Sequence, residues 1–157
     1  MQYYVSKKML LVGAMFFGFG CTQQVLAHDR VGGLLATSGP GATDFYTITC
    51  SNDPATGTVT DHLFFKIRDL TDGGNLVGMT VVKSDAPANQ AATTTVDLVG
   101  GTDPTYSPDS QIKGGNGIYN VTVWHTGVAS DESYSFAYHC ENGTTHTGTT
   151  ITRVSNQ

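Results

Sequence analysis

The chain has 157 residues, with eight Lys and Arg against thirteen Asp and Glu and a formal charge of −5 at pH 7. That acidic balance excludes a protein that wraps nucleic acid, because phosphate binding needs clustered basic side chains. The length suits one domain and not comfortably two.

Lys7 and Lys8 precede an apolar run from Met9 to Gly20. The run is too short and too glycine-broken for a bilayer-spanning helix, which takes about 20 apolar residues. It has the length of a signal-peptide core, and Val25-Leu26-Ala27 offers the small-residue cleavage site. The expected mature chain is residues 28–157, exported to the periplasm or beyond, with no transmembrane segment. Losing two lysines takes its formal charge to −7. A rival reading takes Gly18-Phe19-Gly20-Cys21 as a lipoprotein box with Cys21 acylated, although Gly18 stands where such boxes carry Leu.

Val31–Ser38 is the first apolar stretch of the mature chain, followed by Gly39-Pro40-Gly41. It reads as the first strand of its own domain, or as a strand donated to a neighbouring subunit. Beyond it, two-residue alternation recurs. Tyr46, Ile48 and Cys50 share one face of Asp44–Cys50, and Leu63, Phe65 and Ile67 share one face of Asp61–Asp69. Leu76–Lys83 and the threonine-rich Ala92–Leu98 follow as strands with less regular alternation. Ile118–Thr126 places Tyr119, Val121 and Val123 on one side, Tyr134, Phe136, Tyr138 and Cys140 repeat the pattern, and Thr149–Val154 closes the series. Such segments mark half-buried strands. Turn residues cluster between them at 51–57, 71–75, 84–89, 100–108 and 114–117. Seven or eight short strands and no helices to cover a parallel sheet predict a single antiparallel β-sandwich, immunoglobulin-like or jelly-roll-like. Ile118–Thr126 and Ser133–Cys140 are expected to form a hairpin.

Once the signal segment is gone, Cys50 and Cys140 are the remaining cysteines, and an oxidising compartment favours their bridge. Each shares the parity of the neighbouring aromatic face, so both sulfurs are expected in the core, linking an early strand to a late one.

The run from Gly114 to Val123, glycines followed by Tyr119-x-Val121-x-Val123, resembles a strand of bacterial pre-peptidase C-terminal-like and other immunoglobulin-like secreted sandwiches, and Ser133–Tyr138 resembles its partner strand. The likeness covers about a third of the mature chain. It implies a non-catalytic domain of the kind appended to secreted enzymes, and leaves its role open.

Cleavage after Ala27 would make His28 the mature N-terminus, where amine and imidazole together suit copper, as in the histidine brace of copper proteins built on similar sandwiches. A brace needs a further imidazole, and His62, His125, His139 and His146 are the candidates. His125 and His139, in the expected hairpin, would stand about 17–20 Å apart and share no ion. The outward parity of His139 predicts an exposed polar residue. Acidic turns raise calcium: Asp103 and Asp109 flank Thr105–Pro108, and Ser51-Asn52-Asp53 follows a strand. Phe64, Tyr106 and Trp124 hold outward or loop positions that suit a ligand platform.

No Gly-x-Ser-x-Gly elbow, His-Glu-x-x-His helix or phosphate-cradling loop is present. The two glutamates, Glu132 and Glu141, flank a turn and end a strand, and no carboxylate pair stands out. Two functions follow: a non-enzymatic exported module that binds a protein or surface partner, self-assembly included, or a small copper-binding protein using His28.

Overall fold

The computed structural model describes residues 28–83, 85, 91–101 and 103–157. The signal-peptide, cleavage and Cys21 readings, and most of the 84–89 turn, lie outside the described residues.

Among the described residues ten strands form two antiparallel sheets: β1 (His28–Leu34), β2 (Thr43–Ser51), β3 (His62–Asp69), β4 (Val77–Val82), β5 (Ala92–Val96), β6 (Ser110–Lys113), β7 (Gly117–His125), β8 (Glu132–Asn142), β9 (Thr145–His146) and β10 (Gly148–Ser155). One sheet runs β1-β8-β3-β6, with β9 paired to the end of β8, and the other runs β10-β2-β7-β4-β5. Among the described residues the single helical segment is a 3-10 turn at Ala36–Ser38. No helix among them is long and apolar enough to cross a membrane.

The period-2 faces meet in the middle. Leu63, Phe65 and Ile67 of β3 and Tyr134, Phe136 and Tyr138 of β8 face Tyr46 and Ile48 of β2, Met79 and Val81 of β4, and Tyr119, Val121 and Val123 of β7, all essentially buried in one core. Each such side chain contributes roughly 1.5–3 kcal/mol of hydrophobic stabilisation against an extended unfolded chain. Cys50 of β2 and Cys140 of β8 are disulfide-bonded inside this core, 5.6 Å apart at Cα, tying one sheet to the other. Closing a loop across 90 residues of sequence is worth about 4 kcal/mol in the chain-entropy picture.

The expected hairpin does not form. β7 pairs with β2 and β4, whereas β8 pairs with β1 and β3 in the opposite sheet. The six residues between β7 and β8 arch from one sheet to the other, so the two strands face each other across the core instead of lying side by side. The segment from Val31 forms the first strand of its own domain, as expected, with other bounds. β1 starts earlier, at His28, and pairs with β8 of its own chain through Leu34, after which the backbone tightens into the 3-10 turn.

β1 approaches β8 closely because Gly32 has no side chain: a Cβ there would overlap the Tyr134 ring. The freed space lets Tyr134 donate its hydroxyl to the buried Asp44 carboxylate, which also accepts from Arg153 Nη2 at 2.6 Å and from the backbone N–H of Gln157 at 2.9 Å. Burial first, then hydrogen bonds to Asp44 and Tyr46, hold the Tyr134 hydroxyl far above the usual phenol range, so it acts as a donor at every accessible pH.

Candidate metal centre

β8 carries inward residues at 134, 136, 138 and 140, so its alternate residues at 135, 137, 139 and 141 lie on the outer face of the sheet. The last two of these, His139 and Glu141, stand beside β3, where Glu141 pairs directly with His62 and His139 with Phe64. A two-residue turn at Gly143-Thr144 then folds the chain back, and β9 sets His146 opposite Glu141. Gly143 supplies the left-handed φ of +60° that this tight reversal needs. Three strands thereby bring three imidazoles to one carboxylate.

Glu141 uses both oxygens. Oε1 lies 3.0 Å from His139 Nε2 and 3.4 Å from His146 Nε2, and Oε2 lies 3.1 Å from His62 Nε2. The other nitrogen of His62 meets Asp61 Oδ2 at 3.2 Å, so its ring is held between two carboxylates. The rings of His139 and His146 stack at 4.4 Å, and Phe64 stacks on His139 at 4.5 Å. One donor atom each from His139, Glu141 and His146 lies within 4.8 Å of the others, close enough for all three to reach one ion.

Outward parity predicts exposure for His139, and here the structure corrects the sequence: the residue is 9% exposed, because Phe64 and His146 sandwich it. Burial lowers its pKa below the ordinary imidazole value; Glu141 pulls the other way, while the neighbouring charges of His146 and His28 add to the lowering. The ring is therefore neutral at pH 7, the form in which imidazole binds metals. Its Nδ1 is buried without a hydrogen-bond partner.

Imidazole and carboxylate donors suit Zn2+ and Cu2+. His139, His146 and Glu141 Oε1 would supply three ligands. His62, bonded to Glu141 Oε2, would orient the carboxylate from behind, with Asp61 fixing His62 in turn.

The other sequence candidates fall elsewhere. His28 is exposed at the start of β1 and stacks on the Tyr138 ring at 5.7 Å, outside the three-ligand group. His125 is buried at the end of β7 beside Asn75, whose amide reaches Glu132 at the opposite end of β8 from His139, so the two histidines share no site, though not through the hairpin expected. Asp103 caps its own turn by accepting from the Thr105 N–H, and Asp109 pairs with Lys66 at 3.3 Å. Asp53 likewise serves its own turn, accepting from Ala55 N–H and Thr56 Oγ1. Of the aromatic platform, Phe64 and Tyr106 share the outer face of the β3 sheet, with Lys66 lying 5.6 and 5.2 Å from their ring centres. Trp124 packs over Gly78 on the other sheet and donates to Thr80 Oγ1 at 3.1 Å.

The sequence pairs the histidines with His28 or with each other but does not join His62, His139 and His146 through Glu141, which reads there as a strand-end residue. The signal that would have joined them is Asn142-Gly143, a tight-turn dipeptide between Glu141 and His146. Comparison with protein-family models gives no match, and comparison with curated proteins gives none.

Proposed function

We propose that this protein is an exported, non-catalytic β-sandwich that binds one divalent transition-metal ion, Zn2+ or Cu2+, at His139, Glu141 and His146, with His62 holding the carboxylate. The convergence of three imidazole Nε2 atoms on Glu141 carries this reading. Export is supported by the buried Cys50–Cys140 bridge, a bond kept in oxidising compartments, and by the apolar segment before Ala27. The absence of catalysis is also what the resemblance to pre-peptidase C-terminal-like domains implies. Copper at His28 is the less favoured placement, since that ring packs on Tyr138.

Titration calorimetry of the purified, metal-stripped protein with Zn2+ and with Cu2+ tests the reading. One ion per chain is expected, with binding abolished in His139→Ala/His146→Ala and weakened about 10–100-fold in His62→Ala. Undiminished binding in the double variant would sink this site, and loss in His28→Ala alone would move the metal to the terminus. The intact mass of the exported protein checks the rest: a chain beginning at His28 and two hydrogens light, as against one beginning at an acylated Cys21.

A second reading, a module that docks a protein partner or assembles with itself, is supported by Leu98, Val99 and Val128, which are 71%, 53% and 74% exposed. Sedimentation of Leu98→Ser/Val128→Ser against the native chain tests it, with dissociation to monomer the supporting result.

A further inference from the structure

The outer face of the β10-β2-β7-β4-β5 sheet is chemically unlike the outer face that carries the histidines. Alternation sends Asp44, Tyr46, Ile48 and Cys50 of β2 into the core, so Thr43, Phe45, Thr47 and Thr49 turn outward. The pairing register lays out the rest. Thr47 and Thr49 stand opposite Thr152 and Thr150 of β10, a square of four threonines. Thr122 of β7 stands between Phe45 and Thr80 of β4, and Thr80 in turn stands opposite Thr94 of β5. No outward position on these five strands carries a charge. The outer face of the other sheet presents Lys66, Arg68, His139 and Glu141.

Charge and size together indicate what such a face receives. The cores of protein interfaces are depleted of charge and enriched in aromatic residues. Here Phe45 is 40% exposed on an inner strand, with Ile118 of the adjoining strand 57% exposed and Val154 on the β10 edge 63% exposed. Strands spaced about 4.8 Å and side-chain rows spaced about 6.7 Å give the face about 500–600 Å2 in projection. Side-chain relief brings its accessible area near the ~800 Å2 that each partner of a standard-size complex buries. A formal charge of −5 makes copies of the chain repel one another, and a neutral face is where they can meet without adding to that repulsion.

We propose that this face joins two copies of the chain in a two-fold, sheet-on-sheet dimer. Identical sheets pack face to face about 10 Å apart with their strands about 30° from parallel, and threonine side chains are short enough to allow that approach. A two-fold axis through the face sets the same patch against itself, so threonine methyls and hydroxyls meet their like and Phe45 is covered, with no charge facing a charge. The histidine centre lies on the opposite outer face of each copy and stays open. The dimer does not depend on metal binding, and its surface is separate from Leu98, Val99 and Val128, which lie in the connections after β5 and β7.

Sedimentation velocity of the exported, disulfide-bonded chain tests this, run in chelator so that no metal bridges two copies. A monomer–dimer equilibrium in the micromolar range is expected. Thr47→Asp/Thr122→Asp sets like charges across the interface and should weaken association at least tenfold, and Thr47→Lys/Thr122→Lys should do the same. Mixing the two charged variants should restore the dimer, a result that misfolding cannot imitate. A native chain that stays monomeric at about 100 μM overturns the proposal. Retention of that monomer by an insoluble uncharged polysaccharide would then make a flat polymer the occupant. A dimer that both charged variants leave intact also overturns it, and if Leu98→Ser/Val128→Ser abolishes that dimer the interface belongs to the connections.

Discussion

The two ends of β8 each carry a buried or half-buried glutamate, and they solve the same electrostatic problem with different partners. At the Glu141 end both carboxylate oxygens face imidazole nitrogens. At the Glu132 end one oxygen takes an amide and a hydroxyl, and the other takes nothing. A carboxylate alone therefore does not make a metal site. The accompanying groups decide: imidazole nitrogens at one end suit borderline transition metals, and the amide and hydroxyl at the other hold two connections together.

Breaking the bridge should affect the two ends most unequally. Cys140 sits between His139 and Glu141, so Cys50→Ala/Cys140→Ala is expected to cost about 3 kcal/mol in urea unfolding. It should also weaken zinc at the histidines, the end beside the bridge. A control lies between the ends. Asp44→Ala leaves the Tyr134 hydroxyl and Arg153 without their acceptor, and should cost about 2 kcal/mol while leaving zinc affinity unchanged.

Asp69 sharpens the contrast through pH. Burial raises its pKa above the ordinary carboxyl value of 3.8, with the N–H of Thr71 opposing and the charges of Glu132 and Asp97 adding to the rise. The folded state therefore holds this proton more tightly than the unfolded one. Its stabilising contribution is complete below pH 3.8 and is lost as pH rises through the folded value. In chelator, Asp69→Asn should then gain about 1 kcal/mol at pH 7, and the gain should shrink as pH falls toward 4, followed by thermal unfolding across pH. The smallest effect belongs to the exposed stripe on the same face as the histidines. Lys66→Ala removes contacts to Phe64, Tyr106 and Asp109 and should cost no more than about 0.5–1 kcal/mol, falling with added salt.

Most of the fold was legible because its information is local. Alternation in 44–50, 61–69 and 118–126 reports which side chains are buried, and cysteine parity reports that both sulfurs share the core. Pairing was less legible. The short Thr126–Asp131 connection reads as a hairpin turn, yet nothing local distinguishes a chain that returns beside β7 from one that crosses to the other sheet. β6 was missed since four residues, Ser110–Lys113, are too few to show a period. The candidate site lies further still from local pattern. Parity correctly turned His139 outward, but its burial depends on Phe64 of β3 and His146 of β9, residues far apart in sequence that the sheet makes neighbours. The partnerless oxygen of Glu132 is likewise invisible until the two connections 70–76 and 126–131 are folded together.

One consequence follows from the single-residue spacing of His139, Cys140 and Glu141. In a strand, odd and even positions serve opposite faces, and here one parity builds the core while the other gathers the ligands. Inserting or deleting one residue between Tyr134 and Cys140 would exchange the two sets, presenting thiol to solvent and imidazole to the interior. Substitution can tune this strand, but its length is closed to change, and the covalent sulfur bond is the pin that keeps its frame in register.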